Sequence, residues 1–297
     1  MGFTVDLKSF RPGPDEWNSA SSYDWCLRLA RAHYENFPVA SLLLPRDLRP
    51  DVAALYAFAR IADDIADEPG LSARQRLTYL SEWENSLDEC TTGTPSHPAF
   101  IALGQTIARR RLPILLFHDL LSAFRQDVTT CRYETFNDVL EYCGRSANPV
   151  GRLLLRLFEY DDAGLDRQSD AICTALQLTN FWQDFSQDLA RNRVYVPAED
   201  FRRFGLSPEP EAGGWDERPF RDLVAFQVTR TRGLFAAGRP LIFEPKTRLS
   251  YQLRLTWHGG MRILEKIERS GYTVLRRRPR LVGIDAAVIL TRAFLGS

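Results

Sequence analysis

Helical periodicity runs through most of this 297-residue chain and limits the possible folds more than any other feature. Apolar residues return every three or four positions, whereas sustained alternation of the strand type is hard to find. Gly and Pro fall at the ends of the helical segments, and neither a repeat nor a linker divides the chain. We therefore predict an all-α protein of about ten helices. It would form a single domain over residues 1–297, with an irregular lead-in at 1–20.

Local signals predict where several helices begin and end. Ser72 is expected to cap one helix. The segment from Thr135 to Tyr160 is expected to form one long helix that is kinked or interrupted at Pro149, because proline removes a helical hydrogen bond. Two long helices fit 220–237 and 248–270, and a short helix fits 284–295.

Composition argues against several classes of protein. Lys plus Arg and Asp plus Glu both number 38, so the formal net charge is zero and exerts no global pull toward nucleic acid. Five scattered cysteines without CxxC spacing favour reduced thiols over disulfides or a zinc site. No signal peptide and no run of 18 apolar residues is found. We expect a cytoplasmic protein, with peripheral contact at the inner face of the membrane left open.

Two predicted helices carry rows of polar side chains that end in acids. The first row lies in ALYAFARIADDIADEPG, residues 53–69, and consists of Tyr56, Arg60, Asp63 or Asp64, and Asp67. The second row lies in the helix predicted at 171–190 and consists of Gln177, Asn180, Asp184 and Asp188. Steps of three and four residues place each row on one helix face, while the other faces are mainly apolar.

This arrangement predicts metal chemistry. Buried carboxylates cost several kcal/mol each unless they are paired or bind a metal. Oxygen ligands without His or Cys favour Mg²⁺ over zinc, and Mg²⁺ commonly completes its shell with water and substrate phosphates. A diphosphate held by both rows is therefore the predicted ligand. Either motif alone is equally consistent with solvated acids, and the presence of both favours the metal site.

The motifs YAFARIADDIADE and QLTNFWQDFSQD resemble the two aspartate-rich motifs of the squalene/phytoene synthase family. The likeness covers nearly the whole chain, including YETFNDVLEYCGRSANPVG and RILEKIERSGYTVLRRRPRL. It implies an isoprenoid-synthase-type helical bundle with a central apolar cavity. The stretches YENFPVASLLLP, LTNFWQD and RLTWHGGMRILEKIE are most similar to the hydroxysqualene-forming branch of the family. That branch converts presqualene diphosphate and water to hydroxysqualene and diphosphate in hopanoid biosynthesis.

The resemblance also implies roles for individual residues. The implied Mg²⁺ ligands are Asp63 and Asp67, with Asp64 beside them, and Asn180, Asp184 and Asp188. The implied diphosphate contacts are Tyr56, Arg60, Gln177 and Arg277 or its neighbour Arg278. The candidate pocket residues are Phe37, Val39, Leu43, Phe58, Leu178, Phe181 and Trp182, and ordinary core packing explains each of them at least as well. Glu35 or Asn36 would anchor the capturing water, with helix capping as the other use of Asn36.

The chain departs from the family pattern at two positions that bear on its substrate. Gln183 stands where many members carry Arg before the second-motif Asp, and Gly260 stands where the family carries Tyr. A missing cation and a missing phenol suit a site that handles one diphosphate rather than two. No GxGxxG fingerprint is found, so no NADPH is expected. Ionisation would leave a cyclopropylcarbinyl cation, which water captures after rearrangement in a dry pocket.

Other interpretations remain open from the sequence. The chain could be a presqualene diphosphate, squalene or phytoene synthase that condenses two prenyl diphosphates. It could also be a non-catalytic lipid-binding or assembly relative, although both acidic motifs are complete. The arginine runs at 109–111 and 276–280 are expected to be solvated faces, and the second run could help dock the protein on anionic lipid. Other squalene-pathway enzymes are possible partners.

Overall fold

The computed structural model of the chain describes residues 17–32, 44–210, 214–244, 248–276 and 278–295. These residues form twelve α-helices and one 3₁₀ helix, Arg239–Ile242, and contain no β-strand, so the all-α prediction is confirmed. The α-helices are α1 Ser19–Ala32, α2 Arg49–Asp67, α3 Ala73–Thr92, α4 Pro98–Arg110, α5 Leu115–Thr129, α6 Phe136–Ser146, α7 Asn148–Leu157, α8 Ala163–Ala190, α9 Ala198–Arg203, α10 Glu217–Gly238, α11 Arg248–Arg269 and α12 Gly283–Leu295.

Side-chain caps fix the starts of several helices. The Ser72 hydroxyl accepts a hydrogen bond from the Gln75 backbone N–H at 3.4 Å, and the Gln75 side chain accepts one from the Ser72 N–H at 2.9 Å. Thr135 and Asp138 form the same reciprocal box at the start of α6. Each box satisfies backbone donors that a helix start leaves without partners. The predicted Ser72 cap is confirmed.

The break in the segment from Thr135 to Tyr160 is real but lies two residues before Pro149. Helix α6 ends at Ser146, Ala147 lies between the helices, and α7 begins at Asn148. Proline in the first turn of α7 loses no hydrogen bond, because the first N–H groups of a helix have no intrahelical partner. Of the two predicted alternatives, the interruption is confirmed, two residues earlier than expected, and the kink is wrong.

Two compact units make up the chain. The first comprises Met1–Thr129 and Arg152–Asp161, and the second comprises Thr130–Gly151 and Asp162–Ser297. Within the first unit, α2 packs against α1, α3, α4 and α5. Within the second, the 28-residue α8 packs against α6, α10 and α11. The single-domain organisation over 1–297 and the central apolar cavity stay predictions.

A buried carboxylate ties the helices of the first unit together. Asp51, in the first turn of α2, is fully buried. It accepts hydrogen bonds from Arg110 at 2.9 Å, from Thr106 at 3.1 Å and from Arg109, all on α4. The hydroxyl of Tyr23 on α1 lies 2.9 Å from that of Thr106. Arg109 and Arg110 therefore neutralise a buried acid. The expectation of a solvated face is wrong for Arg110, whose side chain is 18% exposed, whereas that of Arg109 is 52% exposed.

Glycine allows close approach of helices in the second unit. A Cβ added at Gly260 on α11 would lie 2.5 Å from the ring of Phe235 on α10 and 2.9 Å from Leu176 on α8. The neighbouring Gly259 has no such neighbour within 4 Å. Phe235 is fully buried, so its ring has no free space to move into. Helix packing in this chain therefore requires a glycine at position 260.

These contacts predict opposite effects of alanine at two adjacent glycines. Gly260→Ala should lower the free energy of unfolding by about 1–3 kcal/mol, because the added methyl group overpacks the three-helix junction. Gly259→Ala, its matched control, should leave stability unchanged or raise it by up to about 1 kcal/mol, because alanine is the better helix former. Denaturant unfolding followed by circular dichroism measures both variants. Equal stability of the two would show that Gly260 is not held at a close contact.

Candidate active site

The first acidic row lies on one face of α2, wholly within the first unit. Pro50 occupies the first turn of this helix, and the chain becomes extended at Glu68. Buried Ala, Val, Ile and Phe side chains cover the other faces. Exposure rises along the row: Tyr56 is buried, Asp63 is partly exposed, and Asp67 is exposed. The row therefore runs from the helical core to solvent, as a site that admits a charged ligand requires.

Arg60 and Asp64 form a two-pronged ion pair within this row. The Arg60 Nε donates to Asp64 Oδ2 at 3.0 Å, and Arg60 Nη2 lies 2.5 Å from Asp64 Oδ1. Partial burial alone would lower the pKa of Arg60, but the charge and hydrogen bond of Asp64 and the charge of Asp63 raise it overall. The guanidinium is therefore permanently charged and fixed in orientation by a carboxylate one turn away.

Tyr56 lies one turn before Arg60 on the same face. Burial raises the pKa of its phenol, and the charges of Asp64 and Asp63 add to that effect, while Arg60 opposes it. The phenol therefore stays protonated at neutral pH and can donate a hydrogen bond. Tyr56, Arg60, Asp63 and Asp64 therefore share one electrostatic environment on α2.

The second acidic row lies on α8, wholly within the second unit. Asp162 begins this helix by accepting hydrogen bonds from the Gly164 and Leu165 N–H groups at 2.7 and 2.9 Å. Large apolar residues bury the opposite faces: Leu178, Phe181, Trp182 and Phe185. On the row itself Gln177, Asp184 and Asp188 are partly exposed and Asn180 is exposed.

Asp184 is held by an arginine that follows α11 in the chain. Arg278 donates to both carboxylate oxygens, from Nη2 to Oδ2 at 3.0 Å and from Nε to Oδ1. The neighbouring Gln183 donates from Nε2 to the carbonyl of Pro279 at 2.7 Å. Both contacts fasten the segment around 278–279 to the middle of α8. Gln183 is therefore a hydrogen-bond anchor for the basic segment.

The predicted pocket aromatics within the described residues are packed into helical cores. Phe58 is fully buried, with its ring centroid 6.3 Å from that of Trp83 and 5.4 Å from that of Phe117. Phe181 stacks on Tyr195 at 3.7 Å, and the Trp182 Nε1 donates to Thr231 on α10 at 2.8 Å. Core packing accounts for these contacts, and a pocket-lining role for these residues stays a prediction.

Several predicted site residues lie outside the described residues: Glu35, Asn36, Phe37, Val39, Leu43 and Arg277. Their roles stay predictions. The partners of Asp184 and Gln183 were not foreseen, because Arg278 lies 94 residues from Asp184 and Pro279 lies 96 from Gln183. The resemblance had indicated Arg277 or Arg278 as a cation for the diphosphate, but gave no sign that Arg278 pairs with Asp184.

The donor set of each row fits Mg²⁺ rather than a softer metal. Asp63 and Asp67 are one turn apart, as are Asp184 and Asp188, and all four supply carboxylate oxygen. No group of three or more His, Cys, Asp or Glu side chains converges as a metal site within the described parts of the chain. Mg²⁺ is commonly held by one or two carboxylates together with waters and substrate phosphates, so each row supplies what such a site requires.

None of the helices in the described ranges is long and apolar enough to cross a membrane.

Comparison with known proteins agrees with the two motifs. Residues 30–284 match the family model described as squalene/phytoene synthase. A hydroxysqualene synthase of Rhodopseudomonas palustris is 36% identical over 82% of each chain, and one of Zymomonas mobilis is 37% identical over 67% of each. The crystal structure of squalene synthase HpnC from Alicyclobacillus acidocaldarius is 41% identical and superposes with a TM-score of 0.80, covering 85% of this chain and 95% of that one. The chain belongs to the squalene/phytoene synthase family of isoprenoid-biosynthesis enzymes.

Proposed function

We propose that this enzyme converts presqualene diphosphate and water to hydroxysqualene and diphosphate with the help of Mg²⁺. The observation that carries the proposal is a complete polar row on each of α2 and α8, each with an arginine fixed on one of its acids. Two curated relatives named hydroxysqualene synthase, at 36% and 37% identity, support the choice of reaction. The reaction would be a step of hopanoid biosynthesis, alongside other squalene-pathway enzymes.

In the proposed reaction the first row binds the departing diphosphate. Arg60 is oriented by Asp64 and would contribute a fixed guanidinium to phosphate oxygens, and Tyr56 would donate a hydrogen bond. Asp63 and Asp67 would be the Mg²⁺ ligands of this row, with Asp64 beside them. Bound Mg²⁺ would neutralise the negative charge that grows on the leaving diphosphate.

The second row would also bind Mg²⁺ and diphosphate. Asn180, Asp184 and Asp188 are the proposed ligands, and Gln177 is a proposed hydrogen-bond donor. Arg278 already contacts Asp184, so it stands at the row as a cation for the diphosphate. We assign this role to Arg278 as well as to Arg277, because the contact with Asp184 brings the Arg278 guanidinium to this row.

The departures from the family pattern support a site for one diphosphate. Gln183 has its amide N–H engaged by the Pro279 carbonyl and carries no charge. Gly260 supplies no phenol, and its close contacts leave no room for one. A site that condenses two prenyl diphosphates has twice the phosphate charge to neutralise, so a missing cation favours the one-diphosphate reaction.

Water would capture the rearranged cation, with Glu35 or Asn36 as its anchor, and no NADPH would be used. Apolar side chains such as Phe37, Phe58, Phe181 and Trp182 would exclude other water. We place the enzyme in the cytoplasm, in peripheral contact with the inner face of the membrane where its hydrocarbon substrate would partition.

Product analysis distinguishes this reaction from condensation of two prenyl diphosphates. Purified protein with Mg²⁺ should convert presqualene diphosphate to hydroxysqualene without NADPH. Water labelled in its oxygen should place the label in the product hydroxyl, because water is the proposed nucleophile. Consumption of farnesyl diphosphate as sole substrate, with presqualene diphosphate left unchanged, would instead establish a condensing synthase.

Substitution of one acid in each row tests whether both rows serve catalysis. Asp63→Asn and Asp184→Asn should each lower kcat by at least about a hundredfold, because each removes charge that stabilises the leaving diphosphate. Excess Mg²⁺ should restore part of the lost activity. Glu82→Gln on α3, an exposed acid outside both rows, is the matched control and should keep full activity.

Circular dichroism and thermal unfolding establish that the variants of this test are folded. Normal turnover by either row variant would remove that row from the proposed site. A non-catalytic relative would show no turnover in the unmodified protein, with any of the prenyl diphosphates.

A further inference from the structure

Helix α12 directs charged groups toward α11 and leaves several large apolar side chains exposed. Asp285 is fully buried and accepts hydrogen bonds from Arg262 Nε at 2.7 Å and from Lys266, both on α11. Arg292 donates to Glu265 of α11 at 2.5 Å. Hydrogen bonding from Lys266, from the Val282 N–H and from Arg262 holds the pKa of Asp285 well below its usual range. Ion pairs therefore contribute strongly to the attachment of α12 to α11.

The outward face of α12 is apolar. Ile284 is 72% exposed, Leu290 48% and Phe294 53%, at spacings that place them on one side of the helix. Leu281 and Val282, just before the helix, are 44% and 55% exposed. We call these five side chains, with the 42% exposed Tyr251 that stacks on Phe294 at 5.3 Å, the α12 apolar face. Exposed apolar residues scattered singly need no explanation, whereas this group on and beside one helix favours an interaction surface.

Arg280 and Arg254 adjoin the α12 apolar face. Arg280 directly precedes Leu281 and is exposed. Arg276 lies four residues before Arg280. Its side chain is 74% exposed and contacts Glu217. Arg254 lies over the rings of Tyr251 and Phe243, at 5.8 and 5.0 Å from their centroids. Phe243 is itself 44% exposed.

We propose that the α12 apolar face docks on an anionic lipid bilayer, with α12 lying flat in the interface. Apolar side chains on one side with cations at the border are the pattern of interfacial helices, which bind through buried apolar area and attraction to anionic headgroups. A second copy of the chain would bring the same arginines face to face in a two-fold contact, and like charges oppose that contact. A helix of 13 residues is about 20 Å long and too short to span a bilayer, which suits a helix that lies on the surface.

The α12 apolar face would be the site of the peripheral membrane contact given under the proposed function. The inference rests on that proposed function. Its failure is distinguishable from failure of the diphosphate chemistry, because turnover on detergent-dispersed substrate and binding to vesicles are separate measurements. Docking there would place the enzyme where a prenyl substrate partitions.

Co-sedimentation of the full chain with vesicles tests the proposal. The protein should bind vesicles of phosphatidylcholine mixed with phosphatidylglycerol more tightly than phosphatidylcholine alone, and added salt should weaken the binding. Ile284→Ser combined with Leu290→Ser should weaken binding at least about tenfold, because two large side chains no longer enter the interface. Arg280→Gln should weaken binding to the anionic vesicles about fivefold.

Leu115→Ser is the matched control, since Leu115 is 71% exposed on α5 in the first unit and should not affect vesicle binding. All variants should keep the helical content and the turnover of the unmodified protein. Equal vesicle binding by the unmodified protein and the double variant would overturn the proposal. So would sedimentation equilibrium that shows a dimer dissociated by the double variant, combined with no vesicle binding, because the occupant would then be a second copy.

Discussion

Pairing of carboxylates with arginine or lysine is the constraint on which much of this helical structure depends. A charged group taken out of water is costly unless a partner repays the loss of hydration. Asp51 and Asp285 are fully buried, and Asp200 is 4% exposed. Each accepts hydrogen bonds from a basic side chain of another helix: Asp51 from α4, Asp285 from α11, and Asp200 from Arg230 on α10. These pairs specify which helices meet and in what register, whereas apolar packing alone tolerates alternatives.

The proposed catalytic rows also pair a carboxylate with an arginine, but their carboxylates are partly exposed. Asp64 and Asp184 are 13% and 27% exposed, and each holds one arginine through two contacts. Partial exposure lets an arriving anion compete for the guanidinium, which full burial at Asp51 prevents. In each row, an arginine proposed to bind phosphate is therefore already paired with an acid of the same row. In the proposed reaction, diphosphate would compete with that acid for the arginine.

Local sequence signals predicted the helices well because their causes are local. The Ser72 cap depends on a residue three positions away, and the break before Pro149 depends on proline geometry within one turn. The rows on α2 and α8 were also predictable, since the helical period alone puts their members on one face. Long-range pairing was not predictable: Arg110 lies 59 residues from Asp51, and Arg278 lies 94 from Asp184. Helix α12 is the clearest example, because its apolar pattern favours an inward apolar face until the ion pairs with α11 are known.

The central claim is that both acidic rows bind a metal together with diphosphate. The most direct test is whether metal binding requires diphosphate. Mn²⁺, a paramagnetic substitute for Mg²⁺, can be titrated into the protein and followed by electron paramagnetic resonance. The account predicts weak Mn²⁺ binding alone, strong binding when inorganic diphosphate is added, and loss of the strong binding when either Asp63 or Asp184 is changed to Asn. Strong binding that persists in both variants, or that is indifferent to diphosphate, would contradict it.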